Sequence, residues 1–108
     1  MALTARSHTV DELKATPAVK ESVREGLRVM KRDLGYDDAP ILERLLIEQV
    51  LLCWVRLNFT EYQYTSVTNG EASWKQRDDW ERRLSTSQQR YMRAIEGLTR
   101  IRKLARVI

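Results

Sequence analysis

Histidine and cysteine, the residues that most often build nucleophilic and metal centres, occur once each in these 108 residues, as His8 and Cys53. A lone cysteine forms no intramolecular disulfide and no cysteine-based zinc cluster, and a lone histidine with no Glu-x-x-His or His-x-x-x-His neighbour offers no ligand pair. With four Gly and two Pro, the chain is neither collagen-like nor Pro-rich nor a linker, and it lacks the turn residues of a many-stranded β architecture. It has no Gly-rich phosphate loop. A long apolar run is missing too: Glu43, Arg44, Glu48, Gln49 and Arg56 break every window of membrane length around Val50 to Val55, and such charges at membrane depth are costly. Arg6, Asp11, Glu12 and Lys14 leave residues 1–16 without a secretory signal core, so a cytoplasmic location is expected.

What remains is helical periodicity. Thr9 with Glu12 matches a capping box, so Val10 to Ala15 can form a short extra helix within an N-terminal arm, residues 1–15. Residues 16–108 then form one helical domain. Thr16 caps a helix with Pro17 at its first position, Val19, Val23, Leu27, Met30 and Leu34 recur at helical spacing, and Gly35 supplies a left-handed stop. Asp37 or Asp38 is expected to cap the next helix, opened by Pro40 and running to about Val67. This helix is apolar on two sides. Leu42, Leu46, Val50, Cys53, Trp54, Leu57 and Tyr64 make one stripe, and Leu45, Leu52, Val55, Phe59 and Tyr62 a second, so it needs cover on both. After a turn at Asn69-Gly70, Ser73 and Gln76 form a capping box for a last helix whose inner face is Trp80, Leu84, Ser87, Tyr91, Ile95, Leu98, Ile101 and Ala105. Asp78 with Arg82, Asp79 with Arg83 and Glu96 with Arg100 stand at i, i+4. The sequence stops at Val107-Ile108 with no C-cap, which leaves open a frayed last turn or a longer natural chain.

The expected fold is therefore all-α: a three-helix bundle of long antiparallel helices with the second between the first and third. The third, about 48 Å long, overhangs a first of about 27 Å, which leaves apolar surface for a protein partner or a second copy.

Chemistry is sparse. Cys53 sits in the most apolar stretch as a small hydrophobe, and Glu43 and Glu61 read as end-of-helix or salt-bridge residues with no histidine beside them. No catalytic, cofactor-binding or metal-binding set is found, and a non-enzyme is expected. The formal charge of +4 is uneven: residues 73–108 hold ten basic and four acidic groups, residues 39–72 hold two and four, and residues 1–38 balance at seven each. Arg90, Arg93, Arg100, Arg102, Lys103 and Arg106 crowd the last helix and are the candidate phosphate contacts for nucleic acid, although Glu96 interrupts them and a helix dipole alone favours cations there. Arg56, the one charge between Val50 and Phe59, either snorkels to solvent or meets Glu25, Asp79 or Glu81. Trp54, Phe59, Tyr62, Tyr64, Trp74 and Trp80 are expected to meet as core at one end of the hairpin.

The runs Leu42-Glu-Arg-Leu-Leu-Ile-Glu-Gln-Val-Leu-Leu-Cys-Trp-Val-Arg56 and Trp80-Glu-Arg-Arg-Leu to Leu104 resemble a group of short bacterial helical proteins of no known activity. The resemblance implies a link to phage or mobile elements and transfers no functional residue. Two readings stand: a non-enzymatic, self-associating interaction or scaffold protein, and a nucleic-acid-associated accessory protein acting through the six basic residues above.

Overall fold

The computed structural model describes residues 16–68 and 73–107. The expected N-terminal arm with its expected short helix and His8, the expected turn at Asn69-Gly70, and Ile108 lie outside the described residues. Three helices follow one another: α1, Pro17–Asp33; α2, Ile41–Thr68; and α3, Trp74–Val107, with a 3₁₀ turn at Tyr36–Asp38 between the first two. The all-α three-helix bundle expected from periodicity is what the chain forms, and among the described residues no helix is long and apolar enough to cross a membrane.

The ends of the helices follow local chemistry. The Val19 amide donates to Thr16 Oγ1 at 3.3 Å, with Pro17 in the first turn where its missing N–H is harmless. Gly35 takes φ 72°, which a side chain would resist, and so stops α1. Ser73 and Gln76 form a reciprocal box, the Ser73 amide donating to Gln76 Oε1 at 3.0 Å and the Gln76 amide to Ser73 Oγ at 3.2 Å. The start of α2 departs from expectation: neither Asp37 nor Asp38 caps it with its carboxylate. Arg44 instead folds back from the first turn and donates to the Tyr36 and Asp37 carbonyls at 3.1 and 2.6 Å, which fastens the connection to the helix it enters.

Helices α2 and α3 form an antiparallel hairpin. Arg102 stands by Glu43 at one end and the Tyr64 hydroxyl donates to Glu81 at the other. The same stretch, about six turns, separates the partners on each helix, so the register is constant along the pair. Helix α1 runs back along a different flank of α2, and no Cα of α1 comes within 8 Å of one in α3. The second helix therefore lies between the other two, in a body of 55 × 26 × 18 Å.

Burial falls on a narrower part of α2 than its sequence suggests. Ile47, Val50, Leu51 and Val55 are at most 2% exposed and join Val23, Leu27 and Leu98 in the core. Ile47 and Leu51 belong to neither expected stripe, whereas Leu42 and Leu45, which head the two stripes, are 53% and 51% exposed. A helix apolar on all sides has no polar face to fix its rotation. The inner side of α2 is set instead by where its two neighbours are held.

Two glycines separate the effects of packing and propensity. A Cβ on Gly26 would stand 2.4 Å from the Trp54 ring, while one on Gly97 would meet nothing within 4 Å. Gly97→Ala is expected to raise stability by about 0.5–1 kcal/mol through helix propensity alone. Gly26→Leu should lower it by about 1–3 kcal/mol as the indole is displaced. Thermal melts followed by circular dichroism read both, and equal shifts would contradict the Gly26–Trp54 contact.

Candidate functional site

Along the far half of the hairpin the register brings one face of α2 beside one flank of α3. Arg56, Phe59 and Thr60 stand at helical spacing on the first; Arg82, Arg83, Thr86, Ser87 and Arg90 cover about two turns of the second. Together they line an open groove of about 420 Å³. Four of these eight residues are arginines and none is a carboxylate, so the groove is strongly cationic.

Its floor is ordered by hydroxyls. Thr60, 9% exposed, donates from Oγ1 to the Arg56 carbonyl at 2.8 Å, and the same oxygen stands 3.4 Å from Ser87 Oγ. Half-buried Phe59 supplies an apolar wall. The Arg83 guanidinium lies 4.7 Å from the centre of the Trp80 ring, a contact that orients it without neutralising it. Arg82 reaches Asp79 at 3.6 Å, with the two side chains 79% and 49% exposed, a pair that water and salt largely screen. Arg56 and Arg90 are exposed and form no ion pair among the described residues.

Arg56 thus meets none of its three expected carboxylates. Glu25 is held by Arg28 within α1, where hydrogen bonds of 2.6 and 3.1 Å keep its carboxyl below the usual range. Asp79 serves Arg82. Glu81 accepts from Tyr64 at 3.1 Å, and this bond to a carboxylate raises the pKa of the phenol. Two of the i, i+4 pairs expected on α3 are replaced as well, since Asp79 turns to Arg82 one residue nearer and Arg83 turns to Trp80; Glu96 and Arg100 border one depression without an ion pair among the described residues.

The six basic residues singled out on α3 do different things. Arg90 lines the groove. Arg93 is exposed apart from it. Arg100 and Lys103 border a separate depression of about 280 Å³ that also contains Glu96, so its charge is partly offset. Arg102 serves the fold: it stands 3.7 Å from the Glu43 carboxylate, which is only 14% exposed, and donates to the Leu34 carbonyl at the end of α1. The Arg106 side chain lies outside the described residues. Sequence reasoning did not single out Arg82 and Arg83, because nearby Asp78 and Asp79 made them look paired. The signal that was present is the shared flank of Arg82, Arg83, Thr86 and Arg90, but its alignment with Arg56 needs the hairpin register.

Other candidates are used structurally. Glu48 accepts from the Tyr36 hydroxyl at 2.7 Å, Glu43 meets Arg102, and Cys53 is half-buried and free. Two of the six aromatic residues depart from the expected cluster. Trp54 packs on Gly26 of α1, and Trp74 is 81% exposed. Among the described residues no group of three or more His, Cys, Asp or Glu side chains is placed to hold a metal ion. The groove's chemistry is electrostatic: guanidinium forks and hydroxyls suited to the oxygens of an anion, with no base positioned to take a proton.

The division between Arg102 and Arg90 is measurable. Arg102→Ala strands a largely buried carboxylate and the Leu34 carbonyl and should lower stability by about 1–3 kcal/mol. Arg90→Ala should change it by less than about 0.5 kcal/mol. Urea unfolding of the two variants checks this, and similar losses would contradict the assignment.

Compared with known protein families, curated proteins and solved structures, the chain matches none significantly.

Proposed function

We propose that this chain is a non-enzymatic interaction protein that works by helix packing, with a second copy of itself as the partner. The observation that carries this reading is the outward seam of α2. Leu42, Leu45, Gln49 and Leu52 recur at spacings of three, four and three, the a/d rhythm by which one helix seats against another. Leu42 and Leu45 are about half exposed, and Ile41 beside them is 72% exposed. Ile47, Val50, Leu51 and Val55, which α1 and α3 bury, lie elsewhere on the circumference of α2, while Leu52 at the end of the seam is half-buried.

A second copy fits this seam because a two-fold pairing needs only one self-complementary surface. Antiparallel pairing about Gln49 sets Leu45 toward Leu52 of the other copy and holds the two Arg56 charges at opposite ends. Parallel pairing would bring the arginines together, at a cost from like charge. Gln49 at the centre is the type of polar seam residue that fixes register. The further apolar residue Leu104, 56% exposed, belongs to the same end of the bundle as Leu42, since Arg102 is beside Glu43.

A role without catalysis is supported by four glutamates that are engaged within the fold: Glu25 with Arg28, Glu43 with Arg102, Glu48 with Tyr36 and Glu81 with Tyr64. Residence in the cytoplasm is part of the same proposal and is consistent with the free thiol of Cys53.

Light scattering after size-exclusion chromatography is expected to show a dimer of about twice the 12.7 kDa chain mass. Leu45→Glu should convert it to a monomer with unchanged helical circular dichroism, because the replaced side chain is already half exposed. A monomer at every concentration up to millimolar overturns the reading.

A further inference from the structure

We propose that the arginine groove between α2 and α3 binds single-stranded nucleic acid, with Arg56, Arg82, Arg83 and Arg90 on successive phosphates and Phe59 against a base. This goes beyond self-association, which rests on Leu42 to Leu52. The groove starts where that seam meets its first charge, Arg56.

Guanidinium groups from two helices share one groove whose lining has no carboxylate. Beside the groove, Asp79 pairs with Arg82 while both are exposed, and Arg82 also borders a depression with Asp78 and Glu81; Arg56, Arg83 and Arg90 have no ion pair among the described residues. Like charges gathered in this way repel one another when no ligand is present, and an anion converts that repulsion into attraction. Arginine adds a planar fork that meets two phosphate oxygens at once.

From Arg82 to Arg90 the α3 flank runs about 12 Å, so one phosphate meets both ends only when both side chains fold toward the middle of the groove. A chain that presents a phosphate at every residue meets them in turn. The apolar wall narrows the ligand further. A site for inorganic phosphate alone has no use for a half-buried phenyl ring in its lining, whereas single strands are held by a cationic groove together with an aromatic surface on which an unpaired base stacks. Arg83 is held over Trp80, so one of the four cations is already oriented along the flank. Duplex bases are stacked on each other and cannot meet Phe59 in this way, which selects the single strand.

The test is fluorescence anisotropy of a labelled oligothymidine with the full chain at several salt concentrations. Retention should be salt-sensitive, with a log–log slope of about −2 to −3 if three to four phosphates are neutralised at about 0.7 each. Arg56→Gln with Arg90→Gln should weaken binding by at least about tenfold and flatten the slope by about 1.4. Phe59→Leu should weaken it about fivefold or more with the slope unchanged, as lost stacking requires. The control pair Arg93→Gln with Arg100→Gln removes the same charge outside the groove and should leave affinity within about twofold. Circular dichroism of each variant confirms that the helices persist. Absence of salt-sensitive binding overturns the proposal, as does equal weakening by the control pair, which would assign binding to net charge. Complete competition by inorganic pyrophosphate at a phosphate concentration matched to the oligonucleotide also overturns it, because it would make the ligand a small anion. Equal or tighter binding of a duplex of the same length overturns the single-strand assignment.

Discussion

Helix α2 carries more apolar surface than two neighbours can cover. Its sequence from Ile41 to Phe59 has leucine, isoleucine, valine or an aromatic ring at nearly every angle around the axis, and a helix of that kind is stable only when enclosed. Helices α1 and α3 take adjacent flanks and bury Ile47, Val50, Leu51 and Val55 almost completely. Each such side chain contributes roughly 1.5–3 kcal/mol by leaving water, so this flank dominates the stability of a small bundle. The remaining arc, with half-exposed Leu42 and Leu45 and half-buried Leu52, is not covered by a third helix among the described residues. The geometry of the whole molecule, from its 18 Å thinness to its exposed seam, follows from placing a helix apolar all round beside only two others.

With no polar face to orient α2, rotation has to be set by the polar residues at its N-terminal corner. Tyr36 stands at that corner with the Lys31 ammonium 4.5 Å and the Arg44 guanidinium 5.5 Å from its ring, while its hydroxyl donates to Glu48. Arg44 ties the Tyr36 and Asp37 carbonyls to α2, and Arg102 brings in α3 by joining Glu43 to the Leu34 carbonyl. These contacts link all three helices within a few residues of Gly35. Individually they are modest, since hydrogen bonds to charged groups contribute about 1.5–3 kcal/mol. Their importance is directional: apolar packing rewards many rotations of α2 almost equally, and hydrogen bonds with fixed geometry select one.

That division of labour explains what was legible in the sequence. Local signals were reliable: Thr16 with Pro17, Gly35, and Ser73 with Gln76 mark helix ends because each acts on its own backbone. The stripe of α1 was clear because charged residues flank it. Ile47 and Leu51 were missed as the deepest core, since on α2 periodicity has nothing polar to contrast with. The role of Arg102 was equally hidden: its partners are Glu43 and a carbonyl 68 residues away, and by spacing alone it resembles Arg100 or Lys103. The groove stayed out of sight for the same reason, as Arg56 and Arg90 become neighbours only after the hairpin register is known.

The uneven charge then takes on a more specific meaning. A surplus of six positive charges in residues 73–108 suggests a basic C-terminal helix, yet the positions near its C-terminus are the ones most offset: Arg102 is committed to Glu43, and Arg100 and Lys103 sit with Glu96. Uncompensated charge concentrates farther back, at Arg83 and Arg90, where Arg56 from α2 adds to it. A helix dipole accounts for cations in the last turn but falls off within it, so it gives no reason for arginines in the first half of α3. Stability accounts for Arg82, which meets Asp79, and for Arg83, which lies on Trp80, but not for Arg56 and Arg90, which are exposed, line the same groove and have no ion pair among the described residues. The uncompensated part of the charge asymmetry therefore lies in the far half of the hairpin, at the groove proposed to bind single strands, rather than at the C-terminal end of α3.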